Sequence, residues 1–361
     1  MNKDLKNIVY FILSICLCIG LVGCGSSDEN VDSSNKTHII IDAAGNQVEV
    51  SKDIKKIGVV PIPWASVIYC MDNSSERLVT INPSSMQAYK GYFLENMDKG
   101  FGEISTSCIG SDMSINMEEA VKSGIEAMVI WDYQTNEAEQ LKDLGITPIM
   151  IKNETIEELQ SSMEIIGQLL GKEERAKQFI DAYTETYEYM QEKQEELNDV
   201  TKPRVLYLRN PQLKIQGNDN FMKEALSLAG ADNVASHAKN TVTMEEILKW
   251  NPEIIFLSNF DSFEPKDLYE NKIPGQDWSN VEAVKNKRVY KTPLGIYRWD
   301  APGVETPLMM KWMGKMIQPK VFDDYEFIEE LKQYYKSYFN YELTMEDIDL
   351  IMSKTENDLS K

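Results

Sequence analysis

The sequence predicts an α/β protein of two lobes, each built on a mostly parallel sheet, joined by a long helical strut. Three observations predict it. Short apolar runs of strand type alternate with helical stretches in both halves, a block with helical periodicity alone separates the halves, and one gapless pattern occurs in each half.

Taken in order, HIIIDAAGNQVEV (His38–Val50) alternates around Ala-Gly-Asn and reads as a hairpin. KIGVV (Lys56–Val60) is a buried-type strand, and PIPWASVIYCM (Pro61–Met71) a loop entering a helix. RLVTI (Arg77–Ile81), IEAMVIW (Ile125–Trp131) and ITPIMI (Ile146–Ile151) supply further strands, the last two each after a helical stretch. Strands and helices in this alternation indicate a parallel sheet covered on both faces. From Thr155 to about Asn198 only helical periodicity remains, with Gly171 marking a break. The stretch Glu173–Leu197 would make one helix of about 25 residues, near 38 Å long at 1.5 Å per residue, long enough to bridge two domains. The strand pattern restarts with RVLYL (Arg204–Leu208), continues through a helix at Phe221–Ala229, and reaches IIFL (Ile254–Leu257). MEEAVKSGIEAMVI from Met117 aligns without gaps on MEEILKWNPEIIFL from Met244. The expected organisation is a lobe over 38–154, helix over 155–199 and a second lobe over 200–361, a layout for trapping a ligand between lobes.

The front of the chain reads as a leader. MNKDLK precedes the apolar run Ile8–Val22, which is of signal-peptide length and too short to span a bilayer. It ends in LVGC, so residues 1–23 are expected to be a lipoprotein signal peptide and Cys24 the lipidated residue. Residues 24–37 form a polar tether, anchoring the rest to a membrane outside the cytoplasm. Cys16 and Cys18 leave with the leader. Cys70 and Cys108 remain, either bridged or, as expected, two buried thiols.

A formal net charge of -21 and a pI near 4.6 argue against a nucleic-acid partner. Enzyme signals are poor: P-loop, G-x-G-x-x-G and H-E-x-x-H motifs are missing, as is a nucleophile elbow, and His38 and His237 are the two histidines. Two histidines cannot build a metal site of several imidazoles, while a site of carboxylates with at most one His stays open; a metal is expected to arrive already wrapped in an organic chelator, and no cofactor is expected. Asp42, Asp53 and the acidic run Glu192–Glu196 read as solvated charge.

In open α/β sheets, ligands bind beyond the carboxyl ends of the strands. That rule selects Pro61–Trp64, Asn82–Gln87, Trp131–Gln134, Arg209–Lys214, Ser258–Asp261 and Pro293–Pro302. Within them the candidate ligand contacts are Trp64, Gln87, Trp131, Tyr133, Arg209, Asn259, Tyr297, Arg298 and Trp299. Aromatics offer flat contact area, amides offer hydrogen bonds, and arginines offer fixed forks for anions. Each has a plainer role open to it: lobe-core packing for Trp64 and Trp131, hinge packing for Tyr297 and Trp299, solvated rim for Arg209 and Arg298.

The order and spacing of several segments resemble the substrate-binding lipoproteins of ABC importers for iron complexes, the class that also takes up cobalamin and haem. The resemblance covers about 38–361. It rests on LVGC, the two M-E-E segments, the helical strut, GADNVA (Gly230–Ala235), WSNVEAVKNKRVY (Trp278–Tyr290), YRWDAPGVETPLMMKWMGKM (Tyr297–Met316) and FIEELKQYYKSYFNYELT (Phe327–Thr344). It implies two Rossmann-like lobes joined by a rigid helix, the class III periplasmic-binding-protein architecture, with modest closure. It also implies a monomer that docks on an ABC permease and its ATPase through one acidic residue per lobe, at Glu118 and Glu245 here. The implied ligand is a small-molecule metal complex, a ferric siderophore before haem, for which Tyr297 or Tyr133 would be the axial ligand, or a corrinoid walled by Trp64 and Trp131.

Overall fold

The computed structural model describes residues 36–353; the expected leader and Cys24 lie outside them. The chain opens with a hairpin, β1 (Thr37–Ile41) against β2 (Gln47–Ser51). Its alternation is physical: Ile40, Val48 and Val50 point inward while Ile39 and Ile41 stay exposed. Asp42 closes the turn. Its carboxylate accepts the Ala44 and Asn46 amides at 3.1 and 2.9 Å, so this residue is buried and structural rather than solvated.

β3 (Ile57–Val59), α1 (Trp64–Asp72), β4 (Leu78–Ile81), α2 (Pro83–Met86), α3 (Phe93–Met97), α4 (Met117–Lys122), β5 (Ala127–Trp131), α5 (Thr135–Asp143) and β6 (Thr147–Ile151) follow. They build a parallel sheet of order β4-β3-β5-β6. α6 (Ile156–Leu170), α7 (Glu173–Glu192) and α8 (Gln194–Asn198) come next. The second sheet uses β7 (Arg204–Leu208), α9 (Asn220–Leu228), β8 (Asp232–Asn233), α10 (Met244–Trp250), β9 (Ile254–Leu257), α11 (Pro265–Tyr269), α12 (Glu282–Lys285) and β10 (Val289–Lys291). Its order is β8-β7-β9-β10, again all parallel. α13 (Thr306–Ile317), α14 (Phe327–Phe339) and α15 (Met345–Ile351) complete the chain.

Both sheets therefore share one strand order, in which the first strand lies between the second and third. The repeated sequence pattern is its local counterpart. Asn116 and Thr243 cap α4 and α10 by accepting the Glu119 and Glu246 amides. Gly124 (φ +67) and Asn251 (φ 43) turn each chain out of its helix in the left-handed conformation, which only glycine and asparagine enter cheaply.

The helical block is not one long rod. α6 ends at Gly171 (φ +63), whose left-handed backbone returns the chain as α7 alongside α6. Their approach is close enough that a Cβ on Gly167 would sit 2.6 Å from Ala176 Cβ. α7 has 20 residues, about 30 Å at 1.5 Å each, and α8 follows a break at Lys193. α7 still touches both halves: Arg175 donates to the Cys70 carbonyl, Tyr183 to that of Gly303 at 2.6 Å. Phe179 stacks on Tyr338 of α14, and Leu197 of α8 lies under Gly230. α15 reaches back to the first half, where its Asp347 accepts from Asn96. One hydrophobic core runs from the β1–β2 hairpin to α15, and a second fills the space beside β7 and β9. Cys70 and Cys108 are both buried thiols with no bridge between them.

Candidate functional site

In each sheet the direction of chain progression reverses beside the first strand, which leaves a crevice at the carboxyl ends. Residues beyond those ends meet in a cavity of about 500 Å³. The first half contributes Ile62 and Pro63 after β3, with Asn153 and Glu154 after β6; the second contributes Gln216, Phe260 after β9, and Tyr297, Asp300, Ala301 and Pro302 after β10. Its size is within the range of small-molecule sites. Ile62 and Phe260 pack on a small apolar cluster of Ala88, Leu294, Tyr297 and Ala301, which draws on both halves.

On the side of the second half, two arginines stand behind the lining residue Phe260. The guanidinium carbons of Arg209 and Arg298 lie 3.9 and 4.8 Å from the centroid of the Phe260 ring. Contacts of this kind contribute roughly 0.5–2 kcal/mol each. Arg298 is 6% exposed, so it is not a solvated rim residue. Its Nε donates to the Asn259 carbonyl at 2.8 Å and its Nη1 to the Tyr297 hydroxyl at 3.3 Å. Arg209 Nη1 donates to Gln216 Oε1 at 2.8 Å, and Gln216 Nε2 donates to the Asp300 carbonyl at 3.2 Å. Asn259 Nδ2 donates to the Thr292 carbonyl at 2.7 Å. Lys291 fastens the loop after β9 by donating to the carbonyls of Ser258, Asp261 and Phe263, which holds Phe260 in place.

Asp300 is buried, and neither carboxylate oxygen has a hydrogen-bond partner of ordinary geometry among the described residues. Burial pushes its carboxyl up, opposed by the nearby Ser258 hydroxyl and by the Arg209 and Arg298 guanidinia. A carboxyl held toward its neutral form cancels less of the arginine charge. The guanidinia behind Phe260 therefore favour an anion in the cavity, opposed by Glu154 and Asp219 in its lining.

The structure brings Arg209, Asn259, Tyr297 and Arg298 together around Phe260 and separates the other candidates from them. Trp64 is wholly buried in the core at the start of α1 and offers no face to a ligand. Trp299 is 1% exposed; its indole donates to Glu305 and its ring packs edge-on against Phe327. Trp131, the last residue of β5, stacks on Tyr133, which is 68% exposed. Gln87 is exposed after α2. Neither the Trp131–Tyr133 pair nor Gln87 lines the 500 Å³ cavity; of the predicted contacts Tyr297 lines it, with Arg209, Asn259 and Arg298 behind its lining. Phe260, Gln216, Asp300 and Asn153 were not singled out by residue type. The strand-end rule, applied to β6 as well, would have pointed to Asn153.

Glu118 and Glu245 occupy matching exposed positions in the first turns of α4 and α10. One turn on, each is followed by an exposed aliphatic side chain, Val121 or Leu248. Among the described residues no group of His, Cys, Asp and Glu is arranged to hold a metal ion, and no helix is long and apolar enough to cross a membrane.

The sequence model of the periplasmic binding protein family matches residues 108–294, just over half of the chain. The chain belongs to that family. A periplasmic solute binding protein from Veillonella parvula DSM 2008 has a similar structure, with a TM-score of 0.85 and 40% identity over 89% of this chain and 98% of that one. The molybdate-binding protein MolA of Haemophilus influenzae is 22% identical over 83% of this chain and 90% of its own length. The iron-uptake system-binding protein of Bacillus subtilis is 22% identical, over 79% and 90%. The architecture is that of class III periplasmic binding proteins, and the protein is a solute carrier for an ABC importer rather than an enzyme.

Proposed function

We propose that this periplasmic binding protein captures an anionic iron complex, a ferric siderophore, in the cavity between its two sheets and hands it to an ABC permease. The observation that carries the reading is the pair of guanidinia over Phe260 beside a buried Asp300. Two guanidinia fixed behind Phe260 suit the negative carboxylate or catecholate oxygens of a chelate. The donor set favours a metal that arrives already ligated. Haem is disfavoured because burial holds the Tyr297 phenol above its ordinary range, against the pull of Arg298, and Tyr133 does not line the cavity. A corrinoid lacks its expected wall, since Trp64 is inside the core. The same arginine pair would also grip a compact oxyanion, and the likeness to MolA makes that the second reading.

Calorimetric titration of the mature chain with ferric siderophores, haemin, cobalamin and molybdate tests this. Saturable binding of a ferric siderophore alone supports it; binding of molybdate alone replaces it with the oxyanion reading; binding of haemin or cobalamin alone refutes both. Cys24 anchors the chain on the extracytoplasmic face, so palmitate labelling is expected to disappear in Cys24→Ala. Glu118 and Glu245 present matching charges to arginines of a two-fold permease. Reversing both is expected to abolish uptake while leaving ligand affinity within about twofold, since neither lines the cavity. Undiminished uptake refutes the docking assignment.

A further inference from the structure

Glu305, at the start of α13, is 4% exposed and makes no part of the cavity lining. Its carboxylate is nevertheless the point on which the loop 293–302 is folded. Oε2 accepts the Tyr297 amide at 3.0 Å, while Oε1 accepts the Trp299 indole at 3.1 Å and the Tyr335 hydroxyl. The Ile296 amide adds a further donor. Two of these donors belong to the residues on either side of Arg298. The fit is close enough that a Cβ at Gly295 would run into Glu305 Oε1 and the Tyr335 hydroxyl. The other titratable groups facing Glu305 are Tyr334 and Tyr335 on α14 and Cys70 on α1, with Arg175 of α7 beyond Cys70. Burial keeps those two phenols and the thiol well above their ordinary range, so they stay neutral around pH 7. The Glu305 carboxyl is pushed up to about 7 by burial, against the pull of its donors.

We infer that Glu305 is the positioning residue of the ligand cleft: its ionised carboxylate holds Tyr297, Arg298 and Asp300 in their binding geometry, and a proton on it releases them. The physical reason is the change in hydrogen-bond role. A carboxylate accepts from all four donors, whereas a protonated oxygen becomes a donor itself and must face one of them. The inference rests on the cleft being the ligand site, but its first test does not.

The ligand-free mature chain, which contains the whole compact unit beginning at Lys36, is titrated from pH 5 to 9 while tryptophan fluorescence is recorded. Trp299 touches Glu305 directly, so an emission change with a midpoint near pH 7 is expected, and it is expected to vanish in Trp299→Phe and in Glu305→Gln. Should Glu305→Gln not fold, Tyr335→Phe serves: removing one donor to the carboxylate moves the midpoint upward. A transition that persists in Trp299→Phe, or a midpoint unmoved in Tyr335→Phe, overturns the inference. Titration with a ferric siderophore then reads the coupling. If binding needs the ionised form, affinity at pH 6 is about tenfold weaker than at pH 8, and Glu305→Gln is flat across that range. Equal affinity at both pH values overturns the coupling. Failure of any siderophore to bind overturns the proposed function instead, and the ligand-free midpoint still decides the role of Glu305.

Discussion

Replacing Glu305 by glutamine should change how the fold's stability depends on pH, by an amount that follows from its burial. The carboxyl titrates at an ordinary 4.5 when exposed and at about 7 in the folded protein. Between those values the native state holds a proton that the unfolded chain has lost, so this group stabilises the fold fully below 4.5 and loses that contribution as pH rises through 7. At about 1.4 kcal/mol per pH unit the whole effect is about 3 kcal/mol, of which about 2.5 falls between pH 5 and 8. The lower limit is practical, because the pI near 4.6 favours precipitation just beneath it. Urea unfolding followed by circular dichroism, at half-unit steps from pH 5 to 8, would be run on wild type and Glu305→Gln. Other shifted groups, Asp300 among them, are common to both proteins and drop out of the difference. The stability of wild type minus variant should fall by about 2.5 kcal/mol over that range. A constant offset would mean that the four donors fully offset desolvation and that Glu305 is an ordinary buried carboxylate. A difference that rises with pH would refute the argument outright.

Other expectations are simpler to state. Arg298→Ala removes a charged fork and is expected to weaken binding of an anionic chelate by about 10–100-fold, corresponding to about 1.5–3 kcal/mol, measured by calorimetry; affinity within threefold of wild type would remove Arg298 from the site. Gly295→Ala should destabilise the chain by about 2 kcal/mol or more in urea, because its Cβ meets the Glu305–Tyr335 pair; unchanged stability would show that the loop can shift freely. Burial holds the Cys70 thiol well above its usual range and pushes Cys108 up to about 11, so neither should react with iodoacetamide at pH 8 until the protein is unfolded. Mass spectrometry of the mature chain with Cys24 replaced by serine would count the alkylated sites, and rapid native labelling at either would contradict the packing.

Much of the secondary structure is legible in the residues because its causes are local. A run such as RVLYL or IIFL is apolar on both faces and short, which describes a central parallel strand and nothing else nearby in sequence. The gapless match from Met117 and Met244 carries the left-handed exits at Gly124 and Asn251 and the strands that follow, and the caps Asn116 and Thr243 sit one residue before it. Such features depend on neighbours a few residues away, so one chain is enough to read them. The strut was legible as helix but not as a returning pair, since the contact of Gly167 with Ala176 is made only once the two helices lie side by side.

The cleft is a different matter. The rule that ligands meet strand ends points to loops, and the cavity does draw on residues beyond β3, β6, β9 and β10. Which side chain in each loop faces inward is settled by packing across the molecule. Trp64 and Trp299 look alike in sequence to any ligand-stacking aromatic, yet one fills a core and the other hangs on Glu305. Phe260 gains its role from Arg209, about fifty residues earlier, and from Arg298, nearly forty later. By itself the sequence determined that strands and helices would alternate in two similar halves, because those preferences are local and periodic. Only the tertiary structure decided that Arg209 and Arg298 meet over Phe260 beside Asp300, with Glu305 beneath the same loop, because burial and charge act between residues that only folding brings together.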